Sequence, residues 1–324
     1  MKLTLATTVV LLLASVAGAH AAEKAEKASD YPSRPIRVIV PQAPGGSNDI
    51  FARYIGAQVG ERLGKTVVID NRPGAEGMIG TDTVAKAAPD GYTLLMTSTA
   101  FVQNPAVIKK LPYDPIKDFD WPAMLGRGSV VIVVGPSLPV NNLKELVALG
   151  KAKPNYITMA SAGGFMHFVS AMFRSQAGID ATIALYKGGA PALTDIMGGH
   201  AHMAVATMVT VNPYLKSGKI KALAVGSPKR LSVLPDIPTA AEAGLPYEAS
   251  IWWAWSTAAG TPAPILNKLN TEIAEILKLP ETQKRFAAEA AEVEIKKPAE
   301  IKEMVKADLV KWDKVARDAK MQKQ

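Results

Sequence analysis

Ile36-Arg37-Val38-Ile39-Val40, followed by Pro41-Gln42-Ala43-Pro44-Gly45-Gly46-Ser47-Asn48-Asp49, decides the fold of this chain. The first five residues form a short β-branched run, apolar at alternate and adjacent positions, as in a parallel strand covered on both faces. After the Pro/Gly turn, Ile50, Phe51, Tyr54, Ile55, Gln58 and Val59 recur with the spacing of one helical face. Ser47 is the expected N-cap of that helix and Gly64 its expected stop. Strand, small-residue turn and helix make the unit of an α/β sheet. Ligands of open α/β sheets collect at the carboxyl ends of strands, where turn amides and helix N-termini stand exposed. A small anion fits such a place. A nucleotide does not, because Gly46 is followed by Ser47-Asn48 rather than Lys-Ser/Thr and no Gly-x-Gly-x-x-Gly follows any strand.

The alternation continues along the chain. Further strands are expected at 67–69, 92–96, 130–134, 157–159, 183–186, 203–206 and 222–225. Leu143, Leu146 and Val147 mark a helix capped by Asn141 or Asn142; Phe165, Phe168, Val169, Met172 and Phe173 mark another, stopped near Gly178. Two C-terminal stripes, Ile265 to Leu277 and Ile301 to Val315, read as closing helices with no strand after either. Such helices must bury their apolar faces on an existing sheet. Chain crossings near Arg127 and Ser250 then divide the molecule into a discontinuous first domain, 31–126 plus 252–324, and a second domain, 127–251. The expected architecture is a two-domain, clamshell α/β binding protein of the type II-like kind with its ligand cleft between domains.

Two other junctions repeat the small-residue theme. Ala160-Ser161-Ala162-Gly163-Gly164-Phe165-Met166-His167 joins a strand to a helix, and Thr97-Ser98-Thr99-Ala100 ends a strand with hydroxyls. Small residues let the backbone approach a ligand, and hydroxyls add donors. Backbone donors at these ends capture an anion without a lysine.

The 324 residues are 48% hydrophobic and 20% charged, a globular composition that excludes collagen, coiled coil and disorder. The absence of cysteine excludes disulfides, thiol catalysis and a lipoprotein anchor. Lys and Arg number 37 against 29 Asp and Glu, a net charge of +8. That excess is spread thinly without interleaved aromatics, so nucleic acid is not an expected partner. Lys2, the apolar stretch 3–16 and Ala19-His20-Ala21 have the layout of a secretory signal peptide, residues 1–21, which predicts export to a periplasm.

Catalytic and metal readings are poorly supported by the motifs. His200-x-His202 would place two imidazoles on one face of a strand, but no third ligand matches, so no metal and no cofactor are expected. There is no Gly-x-Ser-x-Gly elbow and no His-Glu-x-x-His. Asp114 and Asp118 lie in a Pro-rich loop, where carboxylates ordinarily serve turns. Of Trp252, Trp253 and Trp255, alternation sends at least one to the core and leaves another for the cleft.

Tyr31-Pro32-x-Arg34-Pro35-Ile36, Val40-Pro41-x-x-Pro44-Gly45-Gly46-Ser47-x-Asp49, Asp70-Asn71-Arg72-Pro73-Gly74 and Ala88-Pro89-Asp90-Gly91-Tyr92-Thr93-Leu94 occur in order. Leu111-Pro112-Tyr113-Asp114-Pro115, Tyr186-Lys187-Gly188-Gly189-Ala190-Pro191 and Ala259-Gly260-Thr261-Pro262 follow. In this series the chain resembles the Bug-type receptors, the substrate-binding proteins of tripartite tricarboxylate transporters. The resemblance implies a periplasmic, monomeric, non-enzymatic protein that captures a small organic carboxylate, a dicarboxylate or aromatic acid, for large and small permease subunits. It implies that Ala43, Gly45, Gly46, Ser47 and Asp49 hold the ligand from one domain and Ser161, Ala162 and Gly163 from the other. Ser98, Thr99, Phe165, His167 and His202 complete the expected site. Three departures from the family pattern bear on the ligand. Gln42 stands where an aromatic is usual, the Ser161 to His167 loop is two residues shorter and carries Phe165-Met166, and His202 replaces an acidic residue. An imidazole there removes repulsion toward an acid and, when protonated, attracts it. Two alternatives remain: a secreted serine hydrolase using Ser161 and His167, and a sensor that shows its ligand to a signalling partner.

Overall fold

The computed structural model describes residues 30–318 and 323; the expected signal segment, residues 1–21, lies outside them. The chain runs β1 (Ile36–Val40), α1 (Ser47–Leu63), β2 (Val67–Asn71), a 3-10 turn (Ala75–Gly77), α2 (Met78–Ala85), β3 (Thr93–Ser98) and α3 (Ala100–Val107). It continues through β4 (Phe119–Val134), α4 (Leu143–Ala152), β5 (Ile157–Ser161), α5 (Phe165–Ala177), β6 (Ala181–Leu185), α6 (Gly189–Met197), β7 (Met203–Thr207), α7 (Met208–Lys216) and β8 (Lys221–Val225). It returns as β9 (Ser250–Ala258), α8 (Ala263–Lys278), α9 (Pro280–Ala288), β10 (Ala291–Val293) and α10 (Pro298–Asp318).

The strands follow the order β2-β1-β3-β9-β4-β7-β5-β6, with β8 and β10 also on β4. β1 pairs in parallel with β2 and β3, and β5 in parallel with β6 and β7. The expected runs at all six of these parallel strands are strands, because covered parallel strands are near-continuously apolar and announce themselves in sequence. β4 joins the two halves. Its residues up to Ser129 pair with β9, while Val130–Val134 pair with β7, so the strand changes partners between Ser129 and Val130.

Several expectations need correction. The strand foreseen at 130–134 is the end of a 16-residue strand whose first part, Phe119 onward, carries Pro122, Gly126 and Gly128 and looks like a loop. Gly126 is required there: a Cβ would stand 2.3 Å from the carbonyl oxygen of Glu292 on β10. β10 itself contradicts the expectation that no strand follows the closing helices. Three residues centred on a glutamate carry no periodic signal; pairing with β4 alone makes them a strand. Ser47 is not an N-cap, since Gly46 holds that position and no side chain caps the helix. Asn142 does cap α4, accepting the Glu145 N–H at 2.9 Å, and Gly64 and Gly178 close α1 and α5 in the left-handed region.

The tryptophans differ from expectation as well. Trp252, Trp253 and Trp255 are all buried, on opposite faces of β9 as alternation requires, and none lines the cleft. Trp252 reaches Asp308 on α10 and Trp253 reaches Ser47 on α1. The closing helix α10 thus packs Trp312 edge-on to Phe165 and Phe168 of α5, tying the two halves together.

Candidate functional site

Four helices begin around one small cavity, of about 30 Å³, at the carboxyl ends of β1, β3, β5 and β7. Gln42, Gly46, Ser47, Asn48, Ser98 and Ile251 line it from one half of the sheet. Ala162, Phe165, Met166, Gly189, Thr207 and Thr210 line it from the other. The first residues of α1, α5, α6 and α7, or the residue before them, therefore line a shared volume, near which the positive ends of the helix dipoles lie. No Lys, Arg or His is among the lining residues. An anion held here is held by dipoles and hydroxyls.

The β1–α1 loop is built around Asp49, which is 4% exposed. Its carboxylate accepts the Gly45 N–H at 2.9 Å, Arg53 Nε at 3.1 Å and Asn71 Nδ2 at 3.0 Å. Burial pushes this carboxyl up, but the hydrogen bonds from Arg53, Gly45 and Asn71, with the Arg53 charge, outweigh burial and hold it below the ordinary aspartate range. Asp49 thus shapes the loop and is spent internally. So is the Gly45 amide, and the Ala43 amide donates to the Lys187 carbonyl at 3.0 Å across the cleft. The donors left for a ligand are the first-turn amides Gly46, Ser47 and Asn48, which find no carbonyl within their own helix.

Ser47 Oγ accepts the Trp253 Nε1–H at 3.2 Å, which leaves its own hydroxyl proton free to donate into the cavity. Asn48 is 1% exposed and its Oδ1 has no hydrogen-bond partner. A buried carbonyl oxygen without a partner costs free energy unless a donor reaches it, so Oδ1 suits a hydroxyl or amine of a ligand and not its carboxylate. From the facing half, Thr207 and Thr210 share a hydroxyl hydrogen bond of 2.9 Å at the start of α7. Phe165 and Met166, the two residues that mark the shortened loop, form the apolar part of the wall.

A second cavity, of about 200 Å³, adjoins the first and shares Gln42 and Ala162 with it. Glu76, Gly77, Gly163, Gly164, Tyr186 and Lys187 line it. The Tyr186 hydroxyl donates to Asp195 at 2.6 Å, and burial, then the Asp195 carboxylate, push it up to about 12.

Of the residues expected from the sequence, Gly46, Ser47, Ser98, Ala162 and Phe165 line the first cavity and Gly163 the second. Ala43, Gly45 and Asp49 support them from behind. Ser161 is wholly buried with its Oγ unpartnered, next to the lining Ala162. Thr99 is turned away, its Oγ1 accepting the Trp252 N–H at 2.9 Å. His167, in the first turn of α5, lines neither cavity and does not bond Ser161. His202 is a correction: it precedes β7, whereas the cavity lies past the other end of that strand, at Thr207. Its Nδ1 accepts the Thr158 N–H at 2.9 Å, and burial pushes its imidazole below the ordinary value, which favours the neutral form. His200 lies in a turn, not on a strand, so the two rings do not share a strand face. Among the described residues no group of three or more His, Cys, Asp or Glu is placed to hold a metal ion. Asn48, Thr207, Thr210 and Glu76 were not among the residues expected from the sequence. Asn48 carried a signal, its place beside Ser47; the other three needed the tertiary assembly.

The family model for the tripartite tricarboxylate transporter family receptor, TctC, matches residues 51–321. Protein BugT of Bordetella pertussis is 34% identical over 323 residues, covering 98% of either chain. The solved structure of the periplasmic binding protein BugD superposes with a TM-score of 0.87 at 34% identity, covering 91% of this chain and 100% of that one. A structure of an R. palustris protein with adipate gives a TM-score of 0.88 at 32% identity, over 91% and 100% of the two chains. The fold is thus the α/β fold of periplasmic binding proteins, and the expectation of a hydrolase built on Ser161 and His167 falls, because the family matched is one of binding proteins and not of enzymes. This chain belongs to the tripartite tricarboxylate transporter receptor family, as a solute-binding protein of the Bug type.

Proposed function

We propose that the chain captures a small organic carboxylate in the cavity between its halves and presents it to the membrane subunits of a tripartite transporter. Four helix N-termini converging on a volume lined by no cationic side chain carry this reading. The relative solved with adipate supports the ligand class. Ligand contacts with both halves would favour the closed arrangement, since only differential binding shifts such a population. In this reading residues 31–126 plus 252–324 form one lobe and 127–251 the other, and the chain works as an exported monomer once residues 1–21 are removed.

Thermal-shift and calorimetric screening of mono-, di- and aromatic carboxylates tests it. A ligand at about a hundred times its Kd adds about 2.7 kcal/mol to stability, which is readily seen as a raised Tm. Gly46 has an ordinary φ of −83°, and an added Cβ meets Gln42 Oε1 at 3.8 Å, so Gly46→Ala folds while crowding the ligand. At least a tenfold loss of affinity in Gly46→Ala is expected. Silence toward every acid would end the reading.

A further inference from the structure

We propose that Glu76 is a tethered anion that occupies the α5 end of the cleft and makes this receptor selective for acids bearing a single carboxylate. The proposal rests on the carboxylate reading above and narrows it.

Ala75 and Glu76 are consecutive non-glycine residues in the left-handed region, at φ 47° and 54°. Cβ-bearing residues hold that conformation only where their surroundings fix it. Two contacts fix it here. Asn104 Nδ2 donates to the Glu76 carbonyl at 3.1 Å, and Glu76 Oε2 accepts the Gly164 N–H. Gly164 is the N-cap position of α5, and no side chain of α5's own half caps that helix. The cap is instead a carboxylate from the facing half, 88 residues earlier in the chain.

The place where this carboxylate sits matters for the ligand. Glu76 lines the second cavity with Gly163 and Gly164, and that cavity shares Gln42 and Ala162 with the first. At the far side of the first cavity the free first-turn amides of α1, Gly46, Ser47 and Asn48, mark where the ligand's carboxylate is received. A ligand anchored there extends past Gln42 and Ala162 toward Glu76. Its far end meets an amide already spent and a negative charge in position. A second carboxylate is repelled, while an apolar, hydroxyl or ammonium end is accepted. Lys187 lines the same cavity but is exposed, so its solvated ammonium compensates little, and the Tyr186 hydroxyl is committed to Asp195.

The experiment compares wild type, Glu76→Gln and Glu76→Gly by calorimetry with hexanoate and adipate, acids of equal length that differ in the second carboxylate. Glycine populates the left-handed region freely, so Glu76→Gly relieves backbone strain and does not fail to fold for that reason. Wild type is expected to bind hexanoate at least tenfold more tightly than adipate. Glu76→Gly is expected to gain at least tenfold for adipate with hexanoate within about threefold, and Glu76→Gln to fall between. Adipate bound by wild type as tightly as hexanoate, or both acids shifted equally by the substitutions, would overturn the proposal. A ligand-free arm reads it independently: the Gly164 amide exchanges its hydrogen at least tenfold faster in Glu76→Gly. Unchanged exchange refutes the tethered anion whatever the ligand. If no acid binds any variant while exchange rises as expected, the carboxylate reading fails and the capping of α5 by Glu76 stands.

Discussion

Trp253 Nε1 donates to Ser47 Oγ at 3.2 Å, a contact between residues 206 apart in sequence that orients a cleft hydroxyl from beneath the sheet. The indole is wholly buried and packs edge-on to Phe51 with ring centroids 4.7 Å apart. Trp253→Phe keeps a ring and removes the donor. It is expected to lower ligand affinity about three- to tenfold and stability by about 1–3 kcal/mol, the usual cost of leaving a buried polar group unmatched together with lost packing. Calorimetry beside chemical denaturation separates the two effects; unchanged affinity would show that the Ser47 hydroxyl does not reach the ligand.

Asn48 lines the cavity with an unpartnered Oδ1. Asn48→Asp places a second negative charge among the donors meant for an acid. Affinity for any carboxylate is expected to fall at least a hundredfold, because like charges in a partly desolvated site are not well screened. Retained binding would place the ligand elsewhere.

Asp49 holds the loop through Gly45, Arg53 and Asn71, and its folded pKa is depressed. Its stabilising contribution is therefore complete above the unfolded value of about 3.9 and is lost as pH falls through the lower folded value. Asp49→Asn is expected to cost about 1.5–3 kcal/mol near neutrality, since an amide turns a donor toward donors. The difference from wild type should stay constant from about pH 5 to 7 and shrink below about pH 4. Urea denaturation across that range checks it; a gap that widens in acid would refute the assignment.

Gly45 has φ +86°, and a Cβ built on it would approach Ala190 Cβ on the facing half to 3.0 Å. Gly45→Ala is expected to cost about 1 kcal/mol of stability through backbone strain. Its larger effect falls on closure: affinity drops at least tenfold, and small-angle scattering with saturating ligand gives a larger radius of gyration than for wild type. Equal radii would mean that the two halves do not need this approach.

The expectation of a Ser161 and His167 pair failed for one reason. Ser161 and His167 are six residues apart, but Ser161 closes a strand and is buried, and His167 has already turned with α5. Sequence proximity across a strand-to-helix turn does not bring side chains together. His202 failed in another way. Whether a residue stands before or after a five-residue strand decides which end of the sheet it serves, and its sequence position relative to the Gly198-Gly199 turn does not reveal this.

Legible in the residues alone were the α/β class, the covered parallel strands, an α4 cap at Asn141 or Asn142, the stops at Gly64 and Gly178, and the small-residue turns after β1 and β5. These are short-range matters, set by apolar periodicity and by backbone regions that only certain residues enter. Packing of distant segments settles that β4 runs unbroken through both halves, that three residues at Ala291 become a strand, that Asp49 consumes the Gly45 amide, and that Glu76 caps a helix 88 residues away. Each of these depends on which hydrogen-bonding groups remain unmatched after the halves meet, and that balance exists only once distant segments compete for the same donors.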